Sequence, residues 1–384
     1  MRPETMKQFE EMREQNIMGI KKVKEQGQKV VGMYCLYSPA ELIVAAGAVP
    51  VPLCGTKNEP IAAAEKVLPR NLCPLIKSSY GFAATDTCPF FHFSDMLIAE
   101  TTCDGKKKMY ELLSDFKPLH LLQLPQNQDT EAALSYWYEE IEKLKRGLEK
   151  ELEVTITEDS LRTAVRLLNR ERLAKKELQD LAKVKPSPIS GMDMLTALFN
   201  SGFSADKEAS IKLVYQMIEE IKEIIEQKKS PFTGETPRIL LTGVPVGLGS
   251  HKVVKLIEDC GGNVVCFESC GAYKGVVTSI DEDKDPLLAI AEKYLQTPCS
   301  CMSPNTGRFD LVNKLAEEFH VDGVVDLTWQ GCHTYNIESY SLKHFLQKNH
   351  SLPFLQIETD YSESDVEQLK VRIEAFLEMI GQVF

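Results

Sequence analysis

The 384-residue sequence contains no apolar run approaching the roughly 18 residues that a membrane span needs. Its first residues, MRPETMKQFEEMREQ, are charged and helix-like and lack the apolar core of a secretory signal, so a cytoplasmic location is the expectation. Positive charge is in deficit. The 44 Lys and Arg residues face 56 Asp and Glu, and the net charge of −12 repels nucleic acid and anionic membrane. There is no C-x-x-C pair and no ferredoxin-type cysteine run, which removes the familiar sequence signatures of zinc ribbons and ferredoxins. There is also no Walker A motif and no G-x-G-x-x-G. The glycine-rich GVPVGLGS at 243–250 lacks the Lys-Ser/Thr of a phosphate-binding loop and reads as a tight strand–helix turn.

What the chain does have is cysteine, eleven in all. In a reducing compartment these do not pair, and an odd number cannot pair completely. Cys260 and Cys266 sit among Ile257, Val264, Val265 and Phe267 and read as inert buried thiols. The others fall in turns beside Gly and Pro, where simple core filling explains them poorly.

The hydrophobic pattern divides the chain into an N-terminal helix (1–27), an α/β segment (28–129), a helical region (130–235) and a second α/β segment (236–384). The expected fold is α/β, with two similar parallel-sheet, flavodoxin-like lobes and a helical insertion between them. Ser38 is expected to cap a helix that begins at Pro39, and the prolines of AVPVPLC point to an edge strand. The helical region holds no cysteine or histidine and reads as scaffold or docking surface. The α/β segments look like an approximate repeat. DMLIAETTCDGKKKMYELL aligns with DGVVDLTWQGCHTYNIESYSL, which places Cys103 and Cys332 at the same point, after a strand and before a helix. Cys54 and Cys270 correspond similarly, and Cys73 pairs with the Cys299–Cys301 turn.

In parallel sheets, ligands bind outside the carboxyl ends of the strands, where Cys35, Cys54, Cys103, Cys270 and Cys332 all fall. Two lobes facing each other would converge these soft ligands on one site. Thiolates select iron–sulfur clusters, zinc or copper(I), and the cysteines are too many and too scattered for one tetrahedral zinc.

The stretches YCLYSPAELIVAAGAVPVPLC, LPRNLCPLIKSSYGF, DMLIAETTCDGKKKMYELL, ESCGAY, PCSCMSPN, VDGVVDLTWQGCHTYNIES and LQIETDYSESDVEQL resemble the 2-hydroxyacyl-CoA dehydratase and benzoyl-CoA reductase superfamily. Among its members the chain is most similar to the double-cubane cluster proteins, and the likeness runs nearly end to end. The resemblance implies that Cys73, Cys103 and Cys332 hold a [4Fe–4S] unit. It also implies that further cysteines extend this to an [8Fe–9S] double cubane needing about six thiolates. Cys270, Cys301 and either Cys35 or Cys54 are the implied additions, with Cys299 and Cys88 in reserve. The implied activity is low-potential reduction of a small molecule. Electrons would come from a separate, ATP-hydrolysing dimeric activator with its own [4Fe–4S] cluster, and the chain itself would be a homodimer. A 2-hydroxyacyl-CoA dehydratase subunit with a [4Fe–4S] cluster and a non-catalytic electron carrier are the alternatives.

Proton donors beside such a site would be His333, Glu268 and Tyr273, which neighbour Cys332 and Cys270. Backbone N–H groups of Gly105, Gly271 and Gly331 would hydrogen-bond cluster sulfurs. Lys106, Lys107 and Lys108 follow Cys103 and serve either to solvate a helix start or to hold an anion or a partner. Asp360 and Tyr361 follow the last strand and are candidates to line the cleft. His92, among aromatic residues, reads as core.

Overall fold

The computed structural model describes residues 1–350 and 352–383. Two four-stranded sheets, each parallel throughout, form its framework. The first contains β1 (Val30–Met33), β2 (Val49–Pro52), β3 (Met96–Glu100) and β4 (Leu119–Leu122), in the order β2-β1-β3-β4. The second contains β5 (Arg238–Gly243), β6 (Asn263–Phe267), β7 (Gly323–Trp329) and β8 (Phe354–Thr359), in the order β6-β5-β7-β8. The two orders are the same, so the weak sequence repeat is a repeat of topology. Strands β3, β5, β6 and β7 are buried along their whole length, as sheets covered on both faces require. The proline-containing β2 lies at a sheet edge, where a missing N–H costs no ladder bond.

In each sheet the order reverses between the first and third strands, which makes a topological switch point at β1/β3 and at β5/β7. The loops leaving these strands carry Cys35, Cys103 and Cys332.

The four long helices of the middle region, Glu131–Leu152, Glu158–Asp180, Gly191–Gly202 and Lys207–Glu226, each begin with a side-chain cap. Thr130, Thr157, Ser190 and Asp206 accept from the N–H three residues on. The apolar stripe of the last of them (Ile211, Val214, Met217, Ile218, Ile221 and Ile224) is buried within this chain, chiefly against helix Glu158–Asp180. Helix Pro286–Leu295 comes from the second half of the sequence yet packs on helix Glu131–Leu152 beside the first sheet. It thereby delivers the Cys299–Cys301 loop to the first lobe, where Tyr37 Oη donates to the Thr297 carbonyl at 2.8 Å.

Two local expectations change. Helix Ala40–Ala45 has Pro39 at its cap position with no side-chain cap, and the buried Ser38 hydroxyl has no hydrogen-bond partner. Pro39 adopts an extended ψ of 102°, so the helix starts one residue later and beyond the reach of Ser38. Helix Thr306–Glu318 is an element that the hydrophobic pattern does not predict. It starts without a side-chain cap and is anchored by a wholly buried arginine, Arg308, which breaks the usual amphipathic pattern.

Candidate functional site: a thiol-lined cavity between the lobes

The carboxyl ends of both sheets open onto one cavity of about 990 Å³. Cys35, Cys54, Cys73, Cys103, Cys270, Cys299, Cys301 and Cys332 line it, eight thiols drawn from both halves of the chain. Cys88, Cys260 and Cys266 are not part of the wall. Of the candidate hydrogen-bond donors, Gly105, Gly271, Gly331 and the exposed His333 line the cavity; Glu268 and Tyr273 do not.

Local structure explains each placement. Cys73 and Cys103 occupy the cap positions of helices Pro74–Thr85 and Asp104–Leu113, and Cys332 immediately precedes helix His333–His350. A helix N-terminus presents free N–H groups and a positive dipole end, which favour thiolate over thiol. Gly331 has φ +74°, and a Cβ there would lie 2.6 Å from the Asn71 carbonyl oxygen. Only glycine lets the β7 loop close onto the Asn71–Cys73 turn.

The thiols interact with one another. The neighbouring Cys73 holds the Cys332 thiol below its ordinary range despite burial, while Cys73 is pushed up. Cys301 Sγ donates to Tyr37 Oη at 3.9 Å. The neighbouring Cys301, with the charges of Lys274 and Lys106, outweighs burial and brings Cys299 down to about 5. Cys270 is pushed up to about 12, chiefly by burial. Burial and Glu100 push the Cys35 thiol up against the pull of Lys106, with smaller contributions from Cys270 of the second lobe and from Cys299; burial likewise raises Cys103, with a smaller contribution from Cys332 of the second lobe.

Each lobe sets a buried lysine beside these thiols. Lys106 Nζ donates to the Tyr34 carbonyl at 3.1 Å and to Glu100 Oε1 at 3.3 Å, and its charge acts on Cys35 and Cys54. Lys274, whose side chain is wholly buried, pairs with Glu268 Oε1 at 2.8 Å and donates to Tyr335 Oη at 3.0 Å; its charge acts on Cys270 and Cys299. Glu268 also accepts from Thr242 Oγ1 at 2.8 Å and lies 3.6 Å from Arg308. Its place is in the network behind Lys274. Tyr273 Oη donates to Asp180 Oδ1 at 2.9 Å, and its ring packs edge-on against Phe319. Lys274 and Tyr335 are not among the residues that the sequence singles out. The usable signal was spacing, since Lys274 is four residues past Cys270 and Tyr335 three past Cys332.

The remaining candidates play smaller parts. Lys107 reaches the cavity wall but is half-exposed and paired with Asp104 at 2.9 Å, and Lys108 lies outside the wall, paired with Glu111. His92 is exposed and contacts Asp86 at 2.8 Å. Tyr361 stacks edge-on against Trp329, and its hydroxyl donates to the Gly55 carbonyl at 2.9 Å. Within GVPVGLGS, Val244, Pro245 and Val246 form cavity wall, while Thr56 Oγ1 of the first lobe donates to the Leu248 carbonyl at 3.0 Å. The turn is an interlobe contact.

Three buried hydrogen-bonding groups on the cavity wall have no protein partner: Ser38 Oγ, Thr102 Oγ1 and Trp329 Nε1–H. Among the described residues no three His, Cys, Asp or Glu side chains converge on a point that would hold a single metal ion. The thiols ring a volume. That donor set, with its orphaned donors and two buried ammonium groups, fits a large, anionic, sulfur-rich occupant.

The fold and the cavity define a two-lobed parallel α/β protein whose shared cleft is lined with cysteine from both lobes. Comparison with known proteins then fixes the lineage. The chain belongs to the family described as 2-hydroxyglutaryl-CoA dehydratase, D-component, which it matches over residues 35–380. It is 45% identical over 98% of both chains to the protein YjiM of Escherichia coli (strain K12). It is 25% identical to the (R)-phenyllactyl-CoA dehydratase beta subunit of Clostridium sporogenes, with 94% of each chain covered. The (R)-2-hydroxyglutaryl-CoA dehydratase subunit beta of Acidaminococcus fermentans is also 25% identical, again over 94% of each chain. Among the described residues no helix is long and apolar enough to cross a membrane.

Proposed function

We propose that the chain is the iron–sulfur subunit of a low-potential reductase, holding an [8Fe–9S] double cubane in the interlobe cavity and reducing a small molecule bound beside it. One observation carries this reading: eight thiols from both lobes line a single cavity, whereas one open [4Fe–4S] unit needs about three. Cys73, Cys103 and Cys332 form the core ligand set. Cys270, Cys301 and one of Cys35 and Cys54 extend it, and Cys299, which also lines the cavity, is a further candidate.

The cluster supplies low-potential electrons to the bound molecule. The protein's own groups do the rest. Lys106 and Lys274 offset the negative charge of thiolates and sulfide. Glu268 positions Lys274. Trp329, Thr102 and the backbone N–H groups of Gly105, Gly271 and Gly331 serve as donors to sulfur. His333, exposed at the wall, holds the proton that the reduced product takes up. Electrons come from an ATP-hydrolysing, dimeric [4Fe–4S] activator, and the chain works as a homodimer in the cytoplasm.

The second reading is a 2-hydroxyacyl-CoA dehydratase subunit with one [4Fe–4S] cluster, favoured by the relatives' activities. Iron and acid-labile sulfide analysis of anaerobically purified protein separates the two. About eight irons per chain support the double cubane, about four support the dehydratase-type cluster, and zinc without sulfide overturns both.

A further inference from the structure

The cavity does not end at the thiols. Its wall continues onto two helices of the middle region that the sequence had marked as scaffold. Helix Glu158–Asp180 contributes Leu168, Glu171, Arg172 and Lys175, and helix Gly191–Gly202 contributes Leu195, Leu198, Phe199 and Gly202. Both sets follow the i, i+3, i+4, i+7 spacing of a single helix face, so each helix turns one complete face into the cavity.

The chemistry of this arm is uneven in a telling way. Arg172 is matched by Glu41 in a closed ion pair. Glu171, by contrast, is shared by two lysines: Lys175 Nζ at 2.8 Å and Lys207 Nζ at 3.4 Å. The side chains of Lys175 and Lys207 are only 15% and 10% exposed. Lys207 Nζ has one further contact, to the Gly202 carbonyl, also at 3.4 Å. It is a nearly buried ammonium with three donors and two long, weak partners, beside a cavity. Two ammonium groups against one carboxylate leave a surplus of one positive charge. Next to it stands an apolar wall in which the Phe199 and Phe203 rings lie 5.1 Å apart. A buried charge without good partners is costly unless something completes its hydrogen bonds.

We propose that this arm binds the organic part of the substrate: a monoanionic carboxylate with an apolar or aromatic body, its carboxylate on Lys207 and Lys175 and its body against Leu195, Leu198 and Phe199. This rests on the preceding reading only in taking the cavity as the place of reaction. One negative charge matches the surplus, and an apolar body dries the Phe199 wall, where a bare phosphate would do neither.

The test is calorimetric titration of the anaerobic holoprotein at neutral pH with three probes: 3-phenylpropanoate, its uncharged amide 3-phenylpropanamide, and inorganic phosphate. The acid should bind at least about tenfold more tightly than either of the others. Lys207→Met should weaken acid binding by about tenfold or more and leave amide binding unchanged, while Lys207→Arg should keep the preference for the acid. Equal affinity for acid and amide, phosphate binding as tight as the acid, or no binding of any probe at millimolar concentration overturns the proposal. These comparisons on the unaltered protein stand even if Lys207→Met fails to fold. Iron and sulfide are measured on the same samples. A chain without a cluster that still prefers the acid refutes the cluster reading and not this one.

Discussion

Cys73 and Cys332 come from opposite halves of the chain, and each shifts the acidity of the other, Cys73 upward and Cys332 downward. Both stand at helix N-termini, one in each lobe. That proximity is what joining two repeated α/β units at their carboxyl edges produces, and it makes the proposed ligand set dependent on the assembled chain. Replacing Cys332 or Cys103 with Ala should therefore remove most of the bound iron. Cys299→Ala should lower it as well, since that thiol sits under the influence of both buried lysines. Cys260→Ala, away from the cavity, should leave iron and sulfide content unchanged. Full loading of Cys332→Ala would disprove the assignment.

Much of this was legible in the sequence. The alignment of Cys103 with Cys332 rests on strand-then-helix punctuation, a local signal, and the common strand order of the two sheets bears out the repeat. The role of Leu168, Glu171, Arg172 and Lys175 as cavity wall was not legible. A helix face has the same periodicity whether it covers a core or a cleft, and only the tertiary packing decides which. Lys274 was hidden for another reason. A lysine in a short helix reads as solvated, and its burial depends on Glu268, Tyr335 and Arg308 closing around it.

Glu171 should leave a signature in acid. The ammonium groups of Lys175 and Lys207 outweigh its burial and hold its carboxyl down at about 2. A carboxyl depressed in the folded state stabilises the fold above its unfolded value of about 4.5, and that contribution is lost as pH falls through about 2. Glu171→Gln should thus cost about 3 kcal/mol at pH 7. The gap between parent and variant should narrow steadily below pH 4.5. Urea midpoints of cluster-free protein at several pH values check this, and a gap independent of pH would contradict it.

Arg172 and Glu41 make a buried pair that ties the middle region to the first lobe, with Tyr294 Oη donating to Glu41 Oε2 at 2.8 Å. Arg172→Met strands a carboxylate that has no exposure at all and should cost about 3–5 kcal/mol. The double variant Arg172→Met, Glu41→Leu should recover most of the loss, because it removes the stranded charge as well. Denaturant unfolding of the three proteins measures both effects.

The chain has no recognisable nucleotide loop, and GVPVGLGS is occupied in holding the lobes together. Purified alone, it should not hydrolyse ATP. With an activating reductase and a low-potential donor, reduction should become ATP-dependent and should slow as ionic strength rises, given the net charge of −12. ATPase activity of the isolated chain would count against the division of labour proposed here.

Gly331 offers the sharpest test of how the two lobes make one site. Its φ of +74° lies in the left-handed region, where an L side chain is strained by about 1–2 kcal/mol. Here a second penalty is added, since a methyl group would lie 2.6 Å from the Asn71 carbonyl and 3.2 Å from the Cys73 amide nitrogen. Both obstacles are backbone, so no side-chain rotation relieves them. The β7 loop must retreat from the Asn71–Cys73 turn, and Cys332 must retreat with it. Gly331→Ala should therefore lose cluster while keeping its fold: iron content falls towards that of Cys332→Ala, yet the far-ultraviolet circular dichroism stays that of the parent. Gly27, also at positive φ but with open space around its Cα, separates the two causes. Gly27→Ala carries the same conformational strain without the clash, and should cost stability while leaving iron loading intact. If both variants load iron fully, contact between the lobes at Gly331 is not what holds Cys332 in place.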